Sequence, residues 1–309
     1  MSLDFIWTGI VCTTKLVTID QLELRNKVAV QLKLNTVIEK ADSLLRLPDS
    51  AMRVFELTQA NDTTLDILVE AIQIDPPFVA KLLRLVNSSL FSRGSDITQI
   101  DRAVAILGYQ EVGHIAMIMS AAKEFEKVET ELLRASSFWN HSLTTAILAR
   151  HAAAQLGVQG SGTFVAALLH DLGLPVQFAL CGTEMTDVLD MSLLEDDLDL
   201  VHAEQQVLGF DHTEVGALLC KRWQLPDVIE QSARYHHAPQ NADSHHEAVA
   251  IVAWANIVES LGTAADPTSI EFAMSILSEI EKILPLPLPT DDELLREAQT
   301  EATQLLAFI

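Results

Sequence analysis

Apolar residues recur at helical spacing through almost the whole chain after about residue 30, and this pattern limits the fold more than any other feature. One apolar stripe runs through residues 51–58, and another runs through residues 100–107 and ends at Gly108, where a left-handed C-terminal cap is expected. Hydrophobic residues make up 49% of the chain and aromatic residues only 6%, so the core must consist mainly of Ala, Leu, Val and Ile. Because such a mixture favours helices, we predict an all-α fold.

The pattern divides the chain into three parts. Residues 1–30 form an N-terminal segment whose β-branched stretch Val11–Ile19 has room for a short strand or hairpin. Residues 31–125 are predicted to form an N-terminal helical subdomain, and a charged stretch at 124–131 separates it from a second helical subdomain over residues 130–309. In that second subdomain we predict an extended connector at 284–289 and helices over residues 133–156, 162–172, 200–208, 212–223, 226–237, 246–261, 268–282 and, as a C-terminal helix, 291–308.

Charge argues against nucleic acid as a partner. The chain carries 43 acidic and 20 basic side chains, and a formal net charge of −23 repels a phosphate backbone. Residues 97–119 have the helix–Gly–helix layout of a DNA-binding motif, but their second helix has no Lys or Arg before Lys123. We therefore expect no contact with nucleic acid.

Cysteine usage and the N-terminus indicate a cytoplasmic protein. Cys12, Cys181 and Cys220 lack the spacing of a metal site or a disulfide framework and suit a reducing compartment. The apolar stretch Phe5–Val11 is too short to span a bilayer, and no basic segment precedes it. We predict neither a signal peptide nor a transmembrane helix.

An adjacent histidine and aspartate, His170-Asp171, end the apolar run 164–169. An imidazole nitrogen and a carboxylate oxygen at neighbouring positions can bind one metal ion together. The dipeptide alone is a weak signal, but His141 lies upstream, and His212 and the pair 236–237 lie downstream, each beside an apolar helical stretch.

The remaining histidines have a simpler interpretation. His114, His151 and His202 each lie on an apolar helix, where a histidine is usually a hydrogen-bonded core or boundary residue. His245 and His246 lie in a polar loop and are expected to be solvated.

Several segments recur in a characteristic order along the chain: Leu47-Pro48, Asp75-Pro76, 81–88, 103–108, 139–142, 166–173, 210–216, 223–226 and 235–239. Together they give the chain a resemblance to the HDOD family, a regulatory branch of the HD-domain superfamily of metal-dependent phosphohydrolases. The resemblance covers roughly residues 40–260. It implies an all-α, HD-domain-like helical bundle with an N-terminal helical subdomain, and a role in bacterial signal transduction through protein partners, often without catalysis.

The resemblance also implies a set of metal ligands. The superfamily pattern is a His, a His-Asp pair and a distant Asp, which correspond here to His141, His170, Asp171 and, in place of the distant Asp, Asn256. The branch that cleaves cyclic dinucleotides has three further histidines, which this chain resembles at positions 212, 236 and 237. These residues are expected to meet in one cavity. They would bind one or two divalent ions such as iron or manganese, with Asp171 as the bridge, or form a hydrogen-bonded cluster without metal; the full set is His141, His170, Asp171, His212, His236, His237 and Asn256.

Three departures from the catalytic pattern favour a signalling adaptor. Asn256 lacks the charge of a ligand carboxylate, and Leu174 stands where the cyclic-dinucleotide branch has a phosphate-binding Lys. The Gly-Tyr-Pro segment of that branch is replaced by residues 238–240, which read Ala-Pro-Gln. The alternative is a phosphohydrolase in which a metal-activated water attacks a phosphoester. The sequence names neither the partner protein nor the oligomeric state.

Overall fold

The structure is a computed structural model, which describes residues 19–45, 47–88, 96–158, 160–194, 199–262, 267–284, 288 and 292–308. Within these residues the chain is helical and contains no β-strand, which confirms the predicted all-α fold. Two short 3₁₀ helices lie at Glu126–Val128 and Pro239–Asn241. The α-helices are α1 Ile19–Leu44, α2 Asp49–Gln59, α3 Leu65–Gln73, α4 Pro76–Val86, α5 Ile100–Leu107, α6 Tyr109–Phe125, α7 Ala135–Leu156, α8 Gly160–Leu168, α9 Gly173–Leu180, α10 Gly182–Leu194, α11 Leu200–Leu208, α12 His212–Arg222, α13 Asp227–Tyr235, α14 His246–Leu261, α15 Pro267–Ile283 and α16 Asp292–Leu306.

The helix boundaries follow the periodicity closely, except that α1 begins earlier, that the helix predicted over 162–172 ends at Leu168 with a turn at 169–172, and that α9 and α10 were not predicted. Helix α1 begins at Ile19, well before residue 30, because strong helix formers (Ala, Leu, Arg, Lys, Gln and Glu) occupy seven of the twelve positions 19–30. In α9 the one polar side chain, Gln177, is buried, so this helix shows no polar face to solvent. The stretch proposed as a strand lies outside the described residues except for Ile19, which is the first residue of α1. Most of the connector predicted at 284–289 also lies outside them.

Side-chain caps fix several helix starts. Asp75 accepts a hydrogen bond from the Phe78 amide at 3.1 Å, and Thr64 caps α3 in the same way. Gly108, between α5 and α6, has a positive φ of 83° but an extended ψ of 158°. The expected left-handed cap is therefore wrong: this glycine-only conformation turns the chain by 105° into α6.

Helix α7 lies at the centre of the molecule and packs against α8, α14 and α16. Helix α12 packs against α9 and α13, and α1 lies across α9 and α12. Helices α2 to α6 pack mainly with one another, but most of their buried apolar side chains join those of the later helices in one core that reaches from Leu34 to Leu305. Val86, Ile97 and Ala103 form a separate small cluster. The division into subdomains near residues 120–135 stays a prediction.

The stretch Gly162–Leu180 has the length and apolar composition of a membrane span. Of its most apolar window, 78% is buried inside the structure, where α8 packs against α7, α13 and α14. This stretch is therefore the core of the helical bundle, and it carries His170 and Asp171.

Candidate metal centre

Five histidines and one aspartate meet at the end of α8. His170 and Asp171 occupy the turn between α8 and α9. His141 comes from the second turn of α7, and His212 is the first residue of α12. The remaining pair, at 236–237, follows directly after the last residue of α13. The structure brings these six sequence-predicted side chains together at one place.

A close helix contact holds His212 against the His-Asp turn. A Cβ atom on Gly173 would lie 2.0 Å from the carbonyl oxygen of His212 and 2.7 Å from the amide nitrogen of Gly216. Only glycine permits this approach of α9 and α12, because the clash would involve backbone atoms that cannot rotate away. The Gly that follows the His-Asp-Leu sequence thus has a role in building the centre.

The first half of the centre, here called the His141 lobe, consists of His141, His170 and the Oδ2 atom of Asp171. The Nε2 atoms of His141 and His170 are 3.3 Å apart and form a hydrogen bond. They lie 3.4 Å and 3.2 Å, respectively, from Asp171 Oδ2. This lobe therefore has three donor atoms close enough to share one ion.

The second half, here called the His212 lobe, consists of His212, His236, His237 and the Oδ1 atom of Asp171. His236 Nε2 is 3.1 Å and His212 Nε2 is 3.5 Å from Asp171 Oδ1. The rings of His236 and His237 pack with their centroids 4.3 Å apart. One donor atom from each of the four residues lies within 4.8 Å of the others. Because Asp171 belongs to both lobes, its two oxygens can bridge two ion positions.

Backbone carbonyls orient two of the imidazoles. His170 Nδ1 lies 2.7 Å from the carbonyl oxygen of Ala167, and His236 Nδ1 lies 3.1 Å from those of both Ser232 and Ala233. Since a carbonyl can only accept, each Nδ1 must carry the hydrogen. The neutral ring then presents the lone pair of Nε2 to Asp171, as a metal ligand requires.

Two buried glutamates, neither of them predicted from the sequence, orient two other imidazoles. Glu259 on α14 lies 2.6 Å from His141 Nδ1, and Glu204 on α11 lies 2.8 Å from His212 Nδ1. Glu204 also accepts a hydrogen bond from the His212 amide at 2.8 Å. Its other oxygen is 2.9 Å from the Gln177 amide nitrogen when that amide is oriented to satisfy both of its groups. Carboxylate–histidine pairs of this kind are the usual support of metal ligands.

The donor atoms of the His212 lobe fit a cation. Asp171 Oδ1, His212 Nε2 and His236 Nε2 are buried and have no hydrogen-bond partner, although they lie close together. When the Nδ1 atoms of His212 and His236 carry the ring hydrogens, the Nε2 lone pairs of both rings and the Asp171 carboxylate oxygen face one another. Such an arrangement is costly in a buried site unless a positive charge lies among them. The residues present therefore fit a divalent ion held by imidazole and carboxylate.

In the absence of metal, protons bound to the histidines compensate part of the negative charge of the buried carboxylates. Burial opposes protonation of His141, but hydrogen bonds to Asp171 and Glu259 outweigh it and raise the pKa to about 10. Burial likewise opposes protonation of His212, but the charge of Glu204 raises its pKa to about 9. Burial lowers the pKa of His236 to about 4. The surrounding histidines hold the pKa of the Asp171 carboxyl well below its usual value despite its burial.

Two sequence-predicted differences from a catalytic centre lie beside the cluster. Asn256 is buried on α14, but the contact of this helix with the cluster comes from Glu259, one turn further on. Leu174 is partly buried in the first turn of α9, and its amide donates to the carbonyl oxygen of Asp171 at 2.9 Å. Among the described residues, no Lys or Arg forms an ion pair with the six clustered side chains.

The other histidines lie apart from the centre. His114 is buried and stacks on the ring of Phe164 at a centroid distance of 4.1 Å, so it belongs to the core. His151 and His202 are exposed, and His202 Nδ1 is 2.8 Å from a carboxylate oxygen of Asp199. The pair at 245–246 is exposed, as a polar loop predicts.

The sequence matches the HDOD domain family over residues 44–239, which is more than half of the chain. The chain belongs to the HDOD family. The match covers the whole cluster up to His237 and leaves Asn256 and Glu259 beyond its end. Family membership and the all-α fold predicted by the resemblance are thus confirmed.

Solved structures with the same fold come from several bacteria. An HDOD domain protein of unknown function from Geobacter sulfurreducens superposes with a TM-score of 0.69, at 23% identity over 90% of this chain and 97% of the other. A candidate phosphohydrolase from Shewanella amazonensis gives 0.67, at 20% identity over 88% and 96%. A candidate signal transduction protein from Marinobacter aquaeolei gives 0.66, at 21% identity over 91% and 65%. At these identities the likeness shows the fold alone.

Two curated proteins are related in sequence over part of their length. An uncharacterized protein of Treponema pallidum is 25% identical over 225 residues, which is 72% of this chain and 43% of that protein. Ribonuclease Y of Mesoplasma florum is 25% identical over 188 residues, or 60% of this chain and 31% of the enzyme. The chain thus spans less than half of the length of either relative.

Proposed function

We propose that this chain is a bacterial signal-transduction module of the HDOD type that binds a divalent metal ion and acts through protein partners without efficient phosphoester hydrolysis. The observation that carries metal binding is the buried cluster of unpartnered donor atoms on Asp171, His212 and His236. The metal would be held by imidazole nitrogens and the Asp171 carboxylate, a donor set that suits iron, manganese or zinc.

The surroundings of the cluster argue against efficient hydrolysis. A transferred phosphoryl group gains negative charge on its oxygens in the transition state, and a cation near them stabilises that charge. Leu174 cannot supply such a contact, and the formal net charge of −23 opposes the approach of a polyanionic substrate. These features support a centre that binds metal for stability or signalling.

A metal-dependent phosphohydrolase is the second candidate, and the complete set of five histidines and Asp171 favours it. A bound divalent ion would supply a hydroxide at neutral pH and polarise a phosphoryl oxygen. The residues of this chain would hold the ion, while Glu204 and Glu259 keep His212 and His141 in the required orientation. The names of the Shewanella protein and of ribonuclease Y suggest which substrates to test: a generic phosphodiester and single-stranded RNA.

The test combines metal content with turnover. The purified protein is analysed for transition metals and then assayed with manganese or iron(II) on bis(p-nitrophenyl) phosphate, a cyclic dinucleotide and single-stranded RNA. We expect bound metal and no meaningful turnover. A rate on the order of 1 s⁻¹ or more, typical of enzymes, contradicts the adaptor proposal and supports the phosphohydrolase.

Two variants serve as controls for that assay. Asp171→Asn removes the one carboxylate shared by both lobes and is expected to abolish metal binding. The double variant Asn256→Asp, Leu174→Lys restores the two side chains that the catalytic pattern requires. Activity in the double variant alone would identify a decayed phosphohydrolase centre. If neither protein is active, capture of protein partners with the metal-loaded and metal-stripped module tests the adaptor role.

A further inference from the structure

We propose that the centre holds a single tightly bound ion, that this ion lies in the His212 lobe, and that the His141 lobe does not retain a second ion. This inference rests on the proposed function, since it requires that the chain binds metal at all. It goes beyond that function because it places the ion away from the lobe that contains the His141 and His170 pair.

The number of donors separates the two lobes. The His212 lobe has four donors within 4.8 Å of one another, three imidazoles and Asp171 Oδ1, which is the number that a four-coordinate ion takes. The His141 lobe has three donors. The residue that the family resemblance assigns as the fourth, anionic ligand of this lobe is Asn256 on helix α14, and a neutral amide neutralises no charge.

The hydrogen bonding of the donor atoms also favours an ion in the His212 lobe. Among the described residues, the three fully buried ligand atoms of the centre that lack a hydrogen bond are Asp171 Oδ1, His212 Nε2 and His236 Nε2, and all three belong to the His212 lobe. In the His141 lobe the Nε2 atoms of His141 and His170 bond to each other at 3.3 Å. An ion entering the His141 lobe must break that bond, whereas an ion entering the His212 lobe satisfies atoms that otherwise lack partners.

The solvent exposure of the ligand side chains determines which substitutions can test the proposed position of the ion. His237 is the most exposed member of the His212 lobe, so its replacement leaves no buried cavity. His141 is the most exposed member of the other lobe, with 24% of its side chain accessible. His237→Gln and His141→Gln therefore form a matched pair, each removing one ligand of one lobe while keeping a polar side chain of similar reach.

The experiment measures stoichiometry and spectrum on folded protein. Metal-stripped wild type, the two variants and Asn256→Asp are checked by circular dichroism, titrated calorimetrically with Co²⁺ or Mn²⁺, and analysed for metal after gel filtration. The visible absorption of bound Co²⁺ reports its coordination number. We expect one ion per chain in the wild type, the same in His141→Gln, at least a tenfold weaker affinity in His237→Gln, and two ions in Asn256→Asp.

Each other outcome has a distinct meaning. Two ions in the wild type, or one ion that is lost in His141→Gln and kept in His237→Gln, overturn this inference while leaving metal binding intact. A single ion in Asn256→Asp contradicts the role given to residue 256. Absence of bound metal in every protein, including the wild type, overturns the metal-binding part of the proposed function itself. The isosteric Asn256→Asp change keeps the test valid if either glutamine variant fails to fold.

Discussion

The variant Gly173→Ala tests whether the contact between α9 and α12 positions the centre. The added Cβ would lie 2.0 Å from the His212 carbonyl oxygen, and real contacts are no shorter than 3.0 Å, so the two helices must separate by about 1 Å. Overpacking of this kind costs about 1–3 kcal/mol. Replacing a glycine in a helix by alanine stabilises the folded state by at most about 1 kcal/mol. Because both clashing atoms belong to the backbone, we expect a net loss of about 2 kcal/mol.

The effect on metal binding should be larger than the effect on stability. Bonds to a metal tolerate shifts of about 0.2 Å, and a 1 Å displacement of the His212 backbone removes one ligand from good geometry. We expect at least a tenfold loss of affinity, measured by calorimetric titration beside urea unfolding of the metal-free protein. Gly182→Ala is the matched control, because no atom lies within 4 Å of its Cβ. The reasoning is refuted if both variants match the wild type in stability and affinity.

Three further changes test the surroundings of the centre. Glu204→Gln should weaken metal affinity about 10–100-fold in calorimetric titration, because the buried carboxylate that orients His212 loses its charge; an unchanged affinity would exclude that role. Asp211→Ala and Asp75→Ala each remove a helix N-cap, and each should lower the free energy of unfolding in urea by about 1 kcal/mol. Asp211 caps the helix that begins with His212, so only Asp211→Ala should also weaken metal binding. Equal metal affinities in the two variants would refute this distinction. The pKa of His141 is raised in the folded state from 6.5 to about 10. Its contribution to the stability of the metal-free protein is therefore complete below pH 6.5 and is lost as pH rises to about 10. If thermal unfolding shows no decline in stability between pH 6.5 and about 10, this expectation is wrong.

Most helices could be predicted from the sequence because polar and apolar residues alternate at helical spacing and capping residues flank them. Helix α11 has the predicted bounds, since Asp199 accepts from the His202 amide at its start and Gly209 adopts a left-handed conformation at its end. Helix α9 could not be predicted by that route. Apart from the buried Gln177 its residues are apolar, and Gly173 and Pro175 resemble breakers, whereas tertiary burial holds them in a helix.

The ligand types could be predicted, but the residues that orient them could not. A histidine next to an aspartate is recognisable in the sequence as a potential pair of metal ligands. Glu259 is 118 residues from His141 and acquires its role only when α14 packs against α7. Its one sequence signal was an isolated acidic residue beside the apolar run 248–258, where burial of an unpaired carboxylate would be costly. Glu204 on α11 lies among polar residues and carries no comparable signal.

These two glutamates change what the loss of a ligand carboxylate means. The sequence suggests that Asn256 leaves a metal ion poorly neutralised, because Asp171 is then the one anionic ligand. The structure places two more buried carboxylates behind the imidazoles, at 2.6 Å and 2.8 Å from Nδ1 atoms. A carboxylate in that position makes its imidazole a stronger donor without occupying a ligand position. The charge of Glu204 would therefore support an ion in the His212 lobe, which has four donors, whereas that of Glu259 reaches the His141 lobe, which has three.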